Sequence, residues 1–397
     1  MIRYCRRCVF PETKPDLHID EEGICNACRS YEQRKLINWE ERKKELLVVL
    51  DRYRLKNGSN YDCIVPVSGG KDSHFQAIKM LELGMNPLCV TATTDKLSDI
   101  GRRNIENLKG LGVDYIEVTV NPIIRRKINR LALIQIGDSI WPEHVTIFTI
   151  PVRIAVQLRI PLIIWGENSQ NEYGGPAGAA ENNVLNRRWL EEFGGLLGLR
   201  VSDLAGQSGI EPKHLIQYTY PSDEELKQAG VTGLFLGYYL PWDGYNNLLL
   251  AQAYGFNTYH TAAEGALVNY ENLDNCQSRI HDYFKFLKYG FARTTDQACL
   301  HIRRGRLTRE DAMKLVKRLD GKFPWSYLGY SLEEILADMD MSVEEFVGIC
   351  DRFTNKKLFI CDSKGNLVKD KHGNLTKINY DNAGGDADRM LSPVSLR

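Results

Sequence analysis

Neither sign of charge prevails in this 397-residue chain: 51 lysines and arginines stand against 51 aspartates and glutamates. A protein that coats nucleic acid needs a marked basic excess, so the balance argues against that class and no nucleic-acid partner is expected. Runs of about 18 apolar residues, the minimum for a membrane-spanning helix, are missing as well. The opening MIRYCRRCVF lacks the apolar stretch of a secretory signal, which leads us to expect a cytoplasmic protein. Cysteine, at ten residues, is too sparse for a disulfide scaffold, and reduced thiols suit that compartment. What is present is 43% hydrophobic and 26% charged residues, an ordinary globular balance. The length suits about two to four domains.

Four of the cysteines stand in metal spacing. Cys5-x2-Cys8 and Cys25-x2-Cys28, with 16 residues between the pairs, match the two-knuckle pattern of a zinc site. Each C-x2-C turn aims two thiolates at one point, and two turns complete a tetrahedron. Gly23 frees the backbone just before the second pair. Such a site has no open coordination position, so the expected Zn2+ is structural; an iron–sulfur cluster is the rival that spacing alone leaves open. Residues 30–55 read as a charged helix with Trp39, Leu46, Leu47 and Leu50 inward.

From Tyr61 the pattern alternates. Apolar runs at 62–67, 87–93, 114–120 and 160–165 read as strands, separated by helical stretches that include 100–111 and about 145–158. Residues 234–239 read as one more strand. This alternation implies an α/β fold, a parallel twisted sheet with helices on both faces. Ligands in such sheets sit at the carboxyl ends of strands, which selects the loops 68–73, 93–99 and 166–175.

The first of these, Ser68-Gly69-Gly70-Lys71-Asp72-Ser73, carries the strongest chemical signal. Two glycines after a strand let backbone N–H groups approach an anion, and the following helix turns its positive end there. Ser68 and Ser73 add hydroxyls, Lys71 a cation, and Asp72 a carboxylate able to hold Mg2+. The spacing is not that of a Walker A loop. It resembles the SGGxDS signature of the PP-loop ATPases, which split ATP between the α and β phosphates. That resemblance implies ATP contacts by Ser68, Gly69, Gly70, Lys71, Asp72 and Ser73, with adenine and ribose near Thr93 and Thr94. In the third loop Gly166 is a further expected ATP contact, and Glu167 and Asn168, with Glu172 and Tyr173 beyond, are candidates to orient substrate or bind metal.

Further along, residues 169–230 are rich in Gly, Asn and Glu and read as an insertion near the site. Asp243, among Trp242 and Tyr245, suits a sugar ring. Residues 279–322 hold 12 Lys or Arg against 5 Asp or Glu, and Lys288, Arg293, Arg303 and Arg304 are candidates for phosphate recognition. The leading four-cysteine ribbon, Ser68–Ser73, Gly166-Glu167-Asn168, the stretch Lys285–Arg293 and the stretch Ile302–Glu310 together resemble the N-acetyl sugar amidotransferase family, from Cys5 to about Phe359.

The resemblance implies an ATP-dependent, AMP- and pyrophosphate-forming ligase of O-antigen, capsule or flagellin glycan (lipopolysaccharide) biosynthesis. Its substrate would be a nucleotide sugar whose acetamido group becomes acetamidino, with Lys71, Asp72 and Glu167 as catalytic residues. Ammonia needs a source. Residue 2 is isoleucine, and none of the ten cysteines has glycine at both i−2 and i+2, so no glutaminase signature is evident. A separate glutaminase and an ammonia-channelling subunit, similar to the pair of imidazole glycerol phosphate synthase, are the expected partners. The expected organisation is a ribbon at 1–35, the PP-loop domain at 36–265 and a mainly helical region at 266–397. Two rivals remain: a PP-loop tRNA thiolase, which needs a reactive cysteine, and a non-catalytic ATP-binding scaffold.

Overall fold

In the computed structural model the described residues are 2–55, 58–168, 172–173, 183–185 and 196–378. The apolar runs become short strands: β1 Cys63–Pro66, β2 Pro87–Ala92, β3 Asp114–Val118, β4 Leu162–Trp165, β5 Val184–Leu185 and β6 Thr232–Phe235. All pair in parallel except β5, which lies antiparallel to β6. The order across the sheet is β3-β2-β1-β4-β6-β5. The chain steps outward from β1 to β3 and then returns to β4 on the other side of β1. The order therefore reverses between β1 and β4, and a crevice opens there at the strand carboxyl ends.

Alternate residues of each strand face opposite layers, as the two-residue strand period demands. Ile64, Leu88, Val90 and Ile163 pack with residues of helices α5 (Pro122–Ile136) and α6 (Trp141–Leu158). Cys63, Val65, Cys89, Leu162 and Ile164 pack with Leu46 and Leu50 of α2 (Trp39–Tyr53) and Phe75 and Met80 of α3 (Lys71–Glu82). Burial on both faces explains why these strands read as continuous apolar runs. Leu47, expected inward, is 40% exposed: it sits a quarter-turn round from the buried Leu46–Leu50 stripe.

Two further differences from the sequence reading have plain causes. Helix α5 is absent from that reading, although Asn121 caps it through Ile123 N and Ile124 N, Pro122 opens it and left-handed Gly137 ends it. The run 234–239 is not one strand. Strand β6 ends at Phe235, level with the last residue of its partner, Trp165, and one helical turn, Leu236–Tyr239, follows. Gly237 N there donates to Gly166 O, at 3.1 Å.

Beyond residue 277 the chain is largely helical, with helices Ser278–Tyr289, Arg293–Arg303, Arg309–Leu319, Leu332–Ala337 and Val343–Phe353. Thr308, Ser331 and Ser342 cap three of them through the third backbone N–H. The ribbon packs on this region: Phe10 and the four paired cysteines share a core with Phe291, Ala298, Cys299, Ala312 and Val316. Much of the insertion read near 169–230 lies outside the described residues, and its part from 196 onward forms short 3-10 turns and the helix Asp223–Ala229. Among the described residues no helix is long and apolar enough to cross a membrane.

Candidate active site

Strand β1 delivers residues 68–70 to the crevice, and α3 begins at Lys71. Gly69 adopts φ +85°, and a Cβ there would stand 2.8 Å from Ile105 Cγ1, so packing against helix α4 (Asp99–Lys109) admits only glycine. Ser73 Oγ accepts from Ser68 N at 2.9 Å, which folds the loop over the helix start. Across the reversal point, Gln76, with its amide oriented by its partners, donates to Pro66 O (3.2 Å) and accepts from Gly166 N (2.9 Å). This ties the end of β1 to the end of β4.

The loop faces an open cavity of about 200 Å3. One side consists of Ser68–Ser73 together with Gly101 and Asn104 of α4; Glu167 and Tyr173 enter from the loop after β4. The opposite side is Phe256, residues 270–274 and Arg293. Lys71 is buried and stands 2.6 Å from Asp72 Oδ2 and 3.5 Å from Glu271 Oε1. Burial opposes its charge, but Asp72 and Glu271 outweigh that and raise its pKa. Asp72 Oδ1 accepts from Asn247 Nδ2 at 2.8 Å. Glu271 Oε2 accepts from Gln297 Nε2 at 2.8 Å. Burial disfavours the Glu271 carboxylate, yet Lys71 and Gln297 hold its pKa below the usual value. Glu167 differs: burial, reinforced by the negative charge of Asp72, pushes its carboxyl up to about 7.

Arg293 reaches the cavity while paired with Asp282 (3.2 Å), and its Nε and Nη2 both donate to Asn272 Oδ1. Other residues singled out in the sequence are engaged elsewhere. Glu172 is a buried ion-pair centre between Arg34 and Arg304, and its backbone O accepts from Arg303 Nη2 at 2.6 Å. Asp243 accepts both Nη groups of Arg306 (2.8 and 3.0 Å) and pairs with Arg304. It also caps helix Gly244–Ala253, which carries Asn247, so it acts on Asp72 from a distance. Lys288 donates to Ile136 O and Gly137 O, the open carbonyls at the end of α5. The basic excess of 279–322 is thus taken up largely by internal partners. Thr93, Thr94, Gly166 and Asn168 do not line the cavity; Thr93 Oγ1 donates to Glu117. Glu271, Asn247, Asn272 and Gln297 escaped the sequence reading, since lone polar residues on loops and helices carry no spacing signal.

At the ribbon, the sulfurs of Cys5, Cys8, Cys25 and Cys28 all lie within 4.8 Å of one another and are buried. Cys5–Cys28 and Cys8–Cys25 are 4.0 and 3.6 Å apart. A tetrahedron with Zn–S bonds of about 2.3 Å has edges of about 3.8 Å, so these residues fit zinc. Arg309 Nε donates to the carbonyls of Cys5 and Cys8, at 3.3 and 3.1 Å, fixing the first knuckle.

Comparison with known proteins bears on the far side of the cavity. Residues 256–370 match the family model described as "LPS biosynthesis protein WbpG-like, C-terminal domain". This segment is similar to that domain. It contains the Lys285–Arg293 and Ile302–Glu310 stretches on which the sequence resemblance rests, and bears that resemblance out. A curated relative, "Uncharacterized protein MJ1599" of Methanocaldococcus jannaschii, is 39% identical over 90 residues, which are 22% of this chain and 31% of its own length. Among solved structures, NMN synthetase from Francisella tularensis is similar at 13% identity and a TM-score of 0.27, over 49% of this chain and 93% of that one.

Proposed function

We propose that the protein is an ATP-dependent amidotransferase that converts the acetamido group of a nucleotide-linked N-acetyl sugar into an acetamidino group during surface-glycan biosynthesis. The observation that carries this reading is the make-up of the cavity. A glycine-rich phosphate loop forms one side, and the WbpG-like segment supplies Phe256, Tyr270, Glu271, Asn272, Leu273, Asp274 and Arg293 on the other.

An amide carbon is a poor electrophile, because nitrogen donates into its carbonyl. Attack of the acetamido oxygen on the α-phosphorus of ATP expels pyrophosphate, releases the amide proton and leaves an O-adenylyl imidate. Ammonia then adds to the carbon, the C–O bond breaks, AMP departs with that oxygen, and loss of a proton gives the amidine. In this scheme the N–H groups of the loop, Ser68, Ser73 and Lys71 bind phosphates at the start of α3. Asp72 would hold Mg2+, which supplies charge neutralisation to the departing pyrophosphate. Glu167, with its carboxyl near 7, is suited to take a proton from the adding ammonia. The ammonia itself would come from a separate glutaminase partner.

The thiolase rival finds less support. Its candidate cysteines, Cys276 and Cys299, are both completely buried: burial pushes the Cys276 thiol up to about 12, and Cys299 packs in the core of the four-cysteine ribbon. The deciding experiment is pyrophosphate release from ATP with free ammonium and a panel of nucleotide-linked N-acetyl sugars, with product mass. We expect sugar-dependent release, a product lighter by the difference between O and NH, and loss of both in Asp72→Ala. ATP binding without turnover on any sugar would refute the proposal.

A further inference from the structure

The far wall of the cavity is pinned residue by residue from one helix. Arg293, Gln297 and His301 recur every four residues along helix Arg293–Arg303, so their side chains share one face. Each engages one residue of the loop opposite. Arg293 Nε and Nη2 donate to Asn272 Oδ1, at 3.1 and 2.6 Å. Gln297 Nε2 donates to Glu271 Oε2 at 2.8 Å. His301 Nε2 meets Tyr270 Oη at 3.5 Å. Asn272 adopts φ +55°, a left-handed conformation that turns the chain beside Glu271. A loop held at three successive side chains presents the middle one in a fixed position, as a reacting group requires.

Glu271 is held as an acceptor. Leu267 N donates to Gln297 Oε1 at 2.6 Å, which fixes that amide with its N–H side towards the carboxylate. Oε2 is thereby engaged, while Oε1 stands 3.5 Å from Lys71 Nζ, an ion-pair distance that leaves room for a closer donor. The charged and titratable groups around Glu271 are Lys71, Arg293 and His301, with Tyr173 and Tyr270 near enough to feel its charge. Burial opposes that charge, and Lys71, Gln297 and Arg293 outweigh it. The other carboxyls of the cavity are differently placed. Asp72 is taken by Lys71 and Asn247, and burial raises the pKa of both Glu167 and Asp274. Burial and Arg306 lower His301 to about 4, and its Nδ1 accepts from Arg306 Nε at 3.2 Å.

The reaction proposed above sheds an amide proton in its first step, whereas Glu167 serves the later step with ammonia. A carboxylate on the wall away from the phosphate loop repels phosphates and attracts an N–H. We propose that Glu271 is the base of the first step: its Oε1 accepts the acetamido N–H and takes that proton as the carbonyl oxygen attacks the α-phosphorus of ATP. The N–H electron pair becomes the C=N bond, and the carbonyl π pair forms the O–P bond. The bond to pyrophosphate breaks with its electrons. Gln297 is the positioning residue that keeps the carboxylate ready. The inference rests on the amidotransferase reading above.

The test times the first step alone. It follows single-turnover pyrophosphate formation by the full chain with ATP, saturating ammonium and a nucleotide-linked N-acetyl sugar. Glu271→Gln should slow this step about 100-fold while ATP still binds in calorimetry. Glu167→Gln should leave it near the wild-type rate. Gln297→Leu keeps the base and removes its hydrogen bond, so the acid limb of the rate should move up by about one pH unit, which a merely structural contact would not do. A Glu271→Gln chain that forms pyrophosphate at the wild-type rate, or needs only more sugar to do so, would overturn the assignment. If that variant does not fold, an unmoved limb in Gln297→Leu overturns it instead. A wild type with no sugar-dependent pyrophosphate release would overturn the parent reading, and the role of Glu271 with it.

Discussion

Glu167→Gln offers a sharp test of the site's electrostatics, because glutamine imitates the protonated acid. The folded chain holds the Glu167 carboxyl at about 7, against 4.5 for an ordinary glutamate. The folded state therefore keeps a proton that the unfolded chain has lost between those values, and stability falls as pH rises from about 4.5 to about 7. Above that window the full penalty applies, about 3 kcal/mol at one pKa unit per 1.36 kcal/mol. That is an upper value, since the side chain keeps some access to water. For a chain of this length it corresponds to a rise in Tm of about 4 °C on substitution. Thermal melts of the unliganded wild type and Glu167→Gln at pH 8 should show this gain, and melts at pH 4 almost none. Equal gains at both pH values, or a loss at pH 8, would refute the assignment of burial and Asp72 as the cause. The same variant should lose sugar-dependent turnover at pH 8 if the carboxylate accepts the proton of ammonia.

Other perturbations follow from the packing. Gly69→Ala should cost about 1–2 kcal/mol in backbone strain and displace Ile105, weakening ATP binding measured by calorimetry more than it lowers the melting temperature. Arg304→Met removes one partner from both Glu172 and Asp243; a loss of about 3 kcal/mol in urea unfolding is expected, and wild-type stability would contradict the buried network. Cys25→Ser should abolish bound zinc, read by elemental analysis, and broaden NMR signals of Phe10 and Phe291 together, because they share one core. Undiminished zinc content would show that the four thiols do not act as one site.

The sequence disclosed what depends on spacing. The paired C-x2-C knuckles, the glycine loop after a strand and the alternation of apolar runs with helices each leave a local pattern, and each reappears in the structure. Contacts between distant segments left no such trace. Glu172 looked like a cavity residue because it follows β4 closely, yet Arg34 and Arg304, 138 and 132 residues away, draw it aside. Arg303, Lys288 and Asp243 share that history: their charges suggested ligands, and the fold supplies internal partners instead. Glu271 shows the converse, since only tertiary packing sets it opposite Lys71. Helix α5 carried legible caps, Asn121-Pro122 and Gly137, but its Arg125 and Asn129 face inward and blur the apolar stripe.

The first and last parts of the described chain are interlocked. Lys377 Nζ donates to Tyr4 Oη at 3.0 Å, Thr13 Oγ1 to Tyr289 O at 2.5 Å, and Arg309 grips the first knuckle. Helix Arg293–Arg303 continues the connection, with Arg293 in the cavity and Cys299 against the four-cysteine core. Neither terminal portion can therefore be exchanged alone. A hybrid that inherited the carboxyl-terminal part from another lineage would need the matching ribbon, or it would leave Phe291, Ala312 and Val316 facing water. Recombination between homologous genes should preserve the two ends as a matched set while the segment between them diverges.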